Sequence, residues 1–167
     1  MEQWNAYTKD GERTNIILAR GMPIPRGLYH IVCETLVRHT DGDFLCMLRA
    51  KEKATFAGYY EATAGGSALL DETPEQCICR ELREETGLTC TEFIPIAFHR
   101  YEDGQSLFYS YVCQVNCDKD SFVLQEGETE KYQWMNEDEF KELLSSGQLV
   151  PTQKRRYTEY YRKLGFL

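Results

Sequence analysis

The chain has 167 residues, of which 42% are hydrophobic and 28% are charged, and its formal net charge is −8. This length and composition predict one soluble globular domain over residues 1–167 with a substantial core. The acidic balance argues against nucleic acid or an anionic membrane as a partner, no apolar run is long enough to span a bilayer, and the first residues do not form a secretory signal, so we expect a cytoplasmic protein.

The first part of the chain is rich in strand-forming residues. Segments that alternate with turn residues predict strands over residues 4–7, 16–19, 28–39, 44–49 and 59–64. A turn at Lys9-Asp10-Gly11 joins the first two segments, and Thr40-Asp41-Gly42-Asp43 makes a hairpin of the third and fourth. The fifth leads into Gly65-Gly66.

A short helix is predicted next. Thr73-Pro74-Glu75-Gln76 fits a capping box with Thr73 as the N-cap, and Gly87 is a natural residue for the end of a helix, so the helix runs over residues 74–86. Later strands are predicted over residues 92–101, 106–115 and 131–135. Asn136 then caps a helix that ends near Ser145.

A final helix is predicted over residues 152–164. In it Tyr157, Tyr160, Tyr161 and Leu164 recur at helical spacing and predict a packing stripe, while Lys154-Arg155-Arg156 reads as a solvated basic start. Strands with interspersed helices predict an α/β (α+β) fold, in which a mixed sheet is covered on its faces by helices.

The seven cysteines are odd in number, and most of them lie in apolar runs. The spacings Cys77-Ile78-Cys79 and Cys113-x3-Cys117 lack the paired pattern of a zinc site. We therefore expect reduced, buried thiols, as in cytosolic proteins.

The helix over residues 74–86 carries an unusual acidic cluster. Glu81, Glu84 and Glu85 lie at i, i+3 and i+4, so their side chains share one helical face. Three like charges on one face repel each other unless they share a positive partner. Ligands that offer only oxygen atoms suit a hard divalent cation such as Mg²⁺.

The segment Gly66–Leu88 resembles the signature of the Nudix hydrolases, G-x5-E-x7-R-E-U-x-E-E-x-G-U, where U is an aliphatic residue. Every fixed position is filled: Gly66, Glu72, Arg80, Glu81, Leu82, Glu84, Glu85, Gly87 and Leu88. The resemblance implies an α/β/α sandwich with a central mixed sheet. It also implies Mg²⁺-dependent hydrolysis, with Mn²⁺ as an alternative ion, of a diphosphate linkage in a nucleoside diphosphate joined to another group or in a related small diphosphate.

The same resemblance implies roles for the residues of the signature. Glu81, Glu84 and Glu85 would be metal ligands, and Glu81 is also a candidate for activating water. Arg80 would orient the acidic cluster by ion pairing, with Glu72 as its structural partner. The backbone carbonyl of Gly66 is a further candidate metal ligand.

A fourth carboxylate is expected from a late loop. Many Nudix enzymes place a glutamate six residues before a tryptophan that begins the last strand, and Glu128 has this spacing to Trp134. Glu128 is therefore a candidate metal ligand or base, with Glu126 and Glu130 as close rivals and a solvated loop charge as the plain alternative.

The part of the chain before the signature resembles the branch of the superfamily near isopentenyl-diphosphate isomerase. Arg49 lies where that branch has an arginine able to meet a substrate phosphate, although a surface role is equally open. His30 matches a metal-ligand histidine of the isomerases, but a structural histidine is the favoured reading. Gly65 and Ser67 stand where isomerases have their catalytic cysteine and a metal-binding histidine. The chain therefore lacks the acid that the isomerase reaction needs, which argues against that activity.

Two readings of function from different classes therefore remain. The first is a hydrolase of a small-molecule diphosphate. The second is a Nudix-fold sensor that binds such ligands without turnover, and the complete set of carboxylates argues against it. A homodimer through the N-terminal strands or the aromatic final helix is open, and the substrate is not specified by any neighbouring motif.

Overall fold

The computed structural model describes residues 1–122, 127 and 129–167. Its strands are β1 (Gln3–Tyr7), β2 (Arg13–Ala19), β3 (His30–His39), β4 (Phe44–Arg49), β5 (Tyr60–Glu61), β6 (Thr63–Ser67), β7 (Phe93–Tyr101), β8 (Ser106–Val115) and β9 (Thr129–Met135). Its helices are α1 (Pro74–Thr86), α2 (Glu137–Ser146), α3 (Pro151–Arg156) and α4 (Thr158–Lys163).

Strand β3 is the centre of a large mixed sheet. It runs parallel to β8 from the pair His30–Ser106 to the pair His39–Val115, and antiparallel to β6 on its other side. Strand β4 meets β3 at one end, where Arg38 lies opposite Phe44, and then pairs with β5 and β9. Strand β7 lies antiparallel to β8.

The inner strands β3, β4 and β8 of this sheet are largely buried, which is why they read as nearly continuous apolar runs. Cys33 and Val37 of β3 contribute to clusters that include buried residues of α1, while Leu36 packs in the cluster of α2 and α4. The period of two along β3 thus sends alternate side chains to two helical layers. The predicted sandwich with a central mixed sheet is confirmed.

Helix α1 begins and ends where the sequence indicates. The Thr73 side chain accepts a hydrogen bond from the Gln76 N–H, the Gln76 side-chain oxygen accepts one from the Thr73 N–H, and Gly87 adopts a left-handed φ of 74°. Ile78 and Leu82 are fully buried against the sheet, so the opposite, acidic face is left free to line a cavity.

Two predicted elements are wrong in detail. The single strand over residues 59–64 is instead β5 and β6, because the chain changes partner at Ala62: β5 pairs with β4 and β6 with β3. The single final helix is instead α3 and α4, which break at Tyr157. Tyr157 is fully buried and its hydroxyl donates to the Tyr111 carbonyl at 2.8 Å, which fixes this residue inside the core.

The prediction of a solvated basic start to the final helix holds for Arg155, which is exposed, and is wrong for Arg156. Arg156 is 8% exposed and donates two hydrogen bonds to Glu34, at 2.5 and 2.6 Å. The Ser110 hydroxyl donates to the same carboxylate at 2.8 Å, and the guanidinium lies 4.2 Å from the centre of the Phe108 ring. A buried ion pair therefore ties α3 to the central strand β3.

Strands β1 and β2 form a separate two-stranded hairpin, with Gln3 opposite Ala19 at its open end. Reciprocal backbone hydrogen bonds between Tyr7 and Tyr29 join it to the start of β3. None of the helices in the described part of the chain combines the length and the apolar composition needed to cross a membrane.

Candidate active site

The two glycines at the end of β6 allow a close approach of main chains and side chains. A Cβ atom on Gly65 would lie 2.2 Å from the Cys33 carbonyl oxygen, and one on Gly66 would lie 2.5 Å from a carboxylate oxygen of Glu81. Only glycine fits at either position without a shift of its neighbours. The acidic face of α1 is consequently held directly against the backbone of β6.

A cavity of about 410 Å³ opens over this contact. Its walls contain most of the side chains that the signature singled out, together with residues of the hairpin and of β4 and β5. The lining residues are Glu2, Trp4, Arg20, Met47, Arg49, Lys53, Glu61, Gly65, Gly66, Ser67, Arg80, Glu81, Glu84, Glu85 and Thr129. The structure thus brings Arg49, Gly66, Arg80 and the three glutamates of α1 to one site, as the sequence predicts.

Arg80 lies among the carboxylates of the acidic cluster and forms hydrogen bonds with several of them. Its guanidinium donates to both oxygens of Glu72 at 2.8 and 2.9 Å, to Glu81 at 2.7 Å and to Glu84 at 3.0 Å. It also donates to the Ser67 carbonyl at 3.1 Å. These hydrogen bonds, first those with Glu72, raise the pKa of Arg80, so the cation is permanent.

Glu72 serves Arg80 and does not line the cavity. Besides the two bonds from Arg80, it accepts the Leu69 N–H at 2.8 Å. Burial acts to raise its pKa, but the bonds from Arg80 and Leu69 outweigh burial and hold the pKa of Glu72 below its ordinary value. The structural role that the resemblance implies for Glu72 agrees with this geometry.

The three glutamates of the cluster differ in environment. Glu81 is the most enclosed, with 14% of its side chain exposed, and burial raises its pKa although Arg80 opposes the shift. Glu84 is about half exposed. Glu85 accepts the Gly65 N–H at 3.0 Å. The Glu81 carboxyl is therefore easier to protonate than an ordinary glutamate side chain.

The donor atoms here fit a hard cation, although they are not arranged around one point. Within the described residues, no three carboxylate, thiol or imidazole side chains are already assembled as metal ligands. Arg80 holds Glu81 and Glu84, and the Gly65 N–H holds Glu85. Carboxylate oxygens that share one cavity are nevertheless the donor set that Mg²⁺ prefers. To bind the ion, these carboxylates would only have to exchange their present hydrogen bonds for bonds to the metal.

Arg49 lies in the cavity wall, but its guanidinium already has hydrogen-bond partners. It donates to Glu61 at 2.5 Å and to the Thr55 carbonyl at 3.1 Å. Burial raises the pKa of Glu61, and the neighbouring Arg49 opposes the shift. An incoming phosphate would compete with the Glu61 carboxylate for this guanidinium.

His30 occupies a structural position, in agreement with the favoured reading of the sequence. Its ring stacks on Trp4, with centroids 4.4 Å apart and planes inclined by 17°. Its Nε2 lies 3.0 Å from the Ser106 hydroxyl, while its Nδ1 is buried without a partner in the described part of the molecule. Burial lowers the pKa of His30 to about 4, so the ring is neutral at physiological pH.

The fourth carboxylate, Glu128, and its rival Glu126 lie outside the described residues. Glu130 is described and pairs with Lys51 at 3.4 Å. Thr129, the residue after Glu128, lines the cavity. The late-loop assignment therefore stays a prediction.

Sequence reasoning missed two features of this region. The first is the contribution of the hairpin, through Glu2, Trp4 and Arg20, which no local pattern connects to the acidic helix. The second is the ion pair between Glu34 and Arg156, which backs an adjoining cavity of about 210 Å³. Glu34 and Arg156 are separated by 122 positions, and no local pattern in the sequence indicates a contact over that distance.

Comparison with known proteins places this site in a family. The NUDIX domain family model matches residues 29–158. An uncharacterized Nudix hydrolase of Listeria monocytogenes serovar 1/2a is 28% identical over 157 aligned residues, covering 90% of this chain and 89% of the relative. An isopentenyl-diphosphate Delta-isomerase of Salmonella paratyphi B is 30% identical over 122 residues, covering 70% of this chain and 66% of the isomerase.

Solved structures share the fold. The DR0079 protein of Deinococcus radiodurans matches 93% of this chain and 99% of its own, with a TM-score of 0.71 and 17% identity. The NUDIX domain of NrtR from Shewanella oneidensis, crystallised with ADP ribose, matches 81% and 88% with a TM-score of 0.63 and 15% identity. The family match covers more than half of the chain and includes the complete signature. The chain therefore belongs to the Nudix family.

Proposed function

We propose that the protein hydrolyses a diphosphate linkage in a nucleoside diphosphate joined to another group, or in a related small diphosphate, with Mg²⁺ as cofactor. The observation that carries the proposal is that Glu81, Glu84 and Glu85 line one cavity with Gly66. These residues and the Gly66 carbonyl would hold the ion. When bound, Mg²⁺ would neutralise phosphate charge and make a water molecule a better nucleophile.

The chain's own residues prepare the site in three ways. Arg80 fixes the carboxylates of α1 and keeps their mutual repulsion in check. Glu81, whose pKa burial raises, can take a proton from the attacking water at its carboxylate. Arg49 can turn from Glu61 to a phosphate oxygen of the substrate.

The adjoining cavity supports a polar substrate. It shares Arg49, Glu61 and Gly65 with the main cavity, and the buried pair of Glu34 and Arg156 forms part of its wall. Charged side chains in a wall offer hydrogen-bond partners to a polar occupant, whereas an apolar occupant would displace water from them and make no hydrogen bonds in its place. A sugar or nucleoside fits this requirement better than a hydrocarbon chain.

The test is a panel of diphosphates with Mg²⁺ or Mn²⁺. It contains ADP ribose, the ligand in the NrtR crystal, together with NADH, nucleoside triphosphates and a prenyl diphosphate. We expect product release from at least one nucleoside compound. Tight binding without any hydrolysis would refute the hydrolase and leave the sensor.

Two substitutions tie the activity to the cluster. Glu84→Gln and Glu85→Gln should each lower turnover by orders of magnitude while the fold is retained, because each removes a negative oxygen ligand. Glu75→Gln is the matched control, since Glu75 lies in the first turn of the same helix and does not line the cavity. Turnover near normal in both cluster variants would contradict the ligand assignment.

A cytoplasmic location is part of the proposal. All seven cysteines are free, and Cys33, Cys46, Cys77 and Cys113 are buried. Buried free thiols suit a reducing compartment. Alkylation of the protein in freshly lysed cells should find no disulfide, and an oxidised pair among these residues would contradict the location.

A further inference from the structure

Three residues that precede the family match line the cavity of the acidic helix. The match begins at Tyr29, whereas Glu2, Trp4 and Arg20 belong to the hairpin of β1 and β2 or adjoin it. Glu2 and Arg20 flank the pair of Gln3 and Ala19, and the Arg20 N–H donates to the Glu2 carbonyl at 3.0 Å. The open end of the hairpin is thus part of the cavity wall.

The hairpin is fixed in this position by packing on the body of the protein. Trp4 stacks on His30, and the backbones of Tyr7 and Tyr29 exchange two hydrogen bonds at 2.8 and 2.9 Å. Ala6 and Leu18 are buried beside Trp4 in a cluster of their own. Because these contacts of the hairpin are buried, the hairpin holds its place in the cavity wall without a ligand.

Trp4, one of the residues of this wall, has a buried hydrogen-bond donor without a partner in the described part of the chain. The residue is 8% exposed, and its Nε1 has no acceptor within the part of the chain that the structure describes. The other tryptophan, Trp134, has the same unpaired Nε1 and does not line the cavity, so a missing acceptor alone does not indicate a ligand. The position of Trp4 in the wall of the catalytic cavity is what distinguishes it.

Arg20 brings a cation that is held only weakly. It donates to both oxygens of Glu2 at 3.0 Å, and both side chains are exposed. Exposed ion pairs contribute little to stability, so the guanidinium can exchange Glu2 for a phosphate at small cost. Arg49 and Arg80, in contrast, hold enclosed carboxylates.

We infer that the end of the hairpin is a specificity-determining wall for the substrate. Arg20 releases Glu2 and binds a phosphate oxygen, and the Trp4 indole N–H donates to an acceptor on the group attached to the diphosphate. Glu2 competes with the substrate for Arg20. The inference rests on the proposed function, because it concerns ligands of the same cavity.

Kinetics on a cleaved member of the panel test the inference through the direction of the changes. Arg20→Gln should raise KM by about tenfold to a hundredfold, as expected for a charge-assisted bond, and Arg20→Lys should recover part of the loss. Glu2→Gln should lower KM, because it removes the competitor. If the pair only stabilised the hairpin, both substitutions would act in the same direction. Arg13→Gln is the control, since Arg13 pairs with Asp71 on the same hairpin and does not line the cavity.

Trp4→Phe retains an aromatic ring against His30 and removes the donor. It should raise KM by about twofold to tenfold with little change in kcat, whereas Trp134→Phe should change neither KM nor kcat. Unchanged KM in both the Trp4 and the Arg20 variants, together with normal turnover of the panel, would overturn the inference and leave the proposed function standing.

A binding measurement separates the two proposals further. The chain has two tryptophans, so Trp4 is the remaining one in a Trp134→Phe protein that also carries Glu84→Gln to stop turnover. Its fluorescence should change saturably when ADP ribose is added, and less with inorganic pyrophosphate, which lacks the attached group. A saturable change without turnover in the unaltered protein would support the wall and refute the hydrolase. No fluorescence change on a ligand that calorimetry shows to bind would overturn the wall.

Discussion

Acidification should destabilise the protein through His30 in particular. The Ser106 hydroxyl donates to the Gly104 carbonyl at 2.8 Å, so at His30 it accepts, and Nε2 carries the ring proton. A second proton would have to be added at Nδ1, which is buried and has no partner in the described part of the chain. Burial accordingly lowers the pKa of His30 from 6.5 to about 4.

The size of the effect follows from linkage. Between pH 6.5 and pH 4 the His30 ring binds a proton in the unfolded chain but stays neutral in the folded protein. The free energy of unfolding therefore falls as the pH drops from 6.5 towards 4. Integrating between pH 7 and pH 5 gives a loss of about 2 kcal/mol from His30 alone. Above pH 7 the residue contributes almost no further pH dependence.

Urea unfolding at pH 5, 6 and 7, followed by circular dichroism, measures this loss. The reference is His30→Phe, which keeps a ring against Trp4 and does not titrate. Other groups titrate in both proteins, so the difference between the two pH profiles isolates His30. Parallel profiles would show that the folded His30 has an ordinary pKa and that its burial does not exclude a proton.

Two further perturbations test the ion pair on α3 and the late loop. Arg156→Met should lower the free energy of unfolding by about 3–5 kcal/mol, because Glu34 is left charged and buried. The double substitution Arg156→Met with Glu34→Met should restore most of this loss. Chemical denaturation measures the stability of both variants. Glu128→Gln should lower turnover more than Glu126→Gln or Glu130→Gln, measured at saturating Mg²⁺, and equal small effects would show that Glu128 is not a ligand or base.

The acidic helix could be predicted from the sequence because its determinants are local. The N-cap Thr73, the proline at the first helical position and Gly87 at the end act within one or two turns, and the structure confirms the helix residue by residue. The clustering of Glu81, Glu84 and Glu85 on one face follows from the same periodicity. Strand positions were predicted nearly as well, because turn residues separate them.

The remaining features depend on contacts between distant segments. The break at Ala62 arises because β5 pairs with β4 whereas β6 pairs with β3. Nothing in the sequence of residues 59–64 indicates that the pairing strand changes there. Arg156 follows two other basic residues and looks solvated until Glu34 is placed beside it. Trp4 reads as one residue of a strand, and its role in a cavity wall requires the hairpin to be docked on β3.

The close contact at Gly65 has a consequence for the evolution of this chain. By the sequence resemblance, Gly65 is expected to stand where the isomerases have their catalytic cysteine, and a Cβ there would lie 2.2 Å from the Cys33 carbonyl oxygen and 2.7 Å from the Cα of Glu34. Those atoms are backbone of the central strand, so they cannot turn aside as a side chain can. A single codon change to cysteine would have to move β3 away from β6 before the thiol could do any chemistry. We therefore expect that substitution of Gly65 by cysteine alone does not give this chain isomerase activity, because the backbone spacing of β3 and β6 would have to change with it.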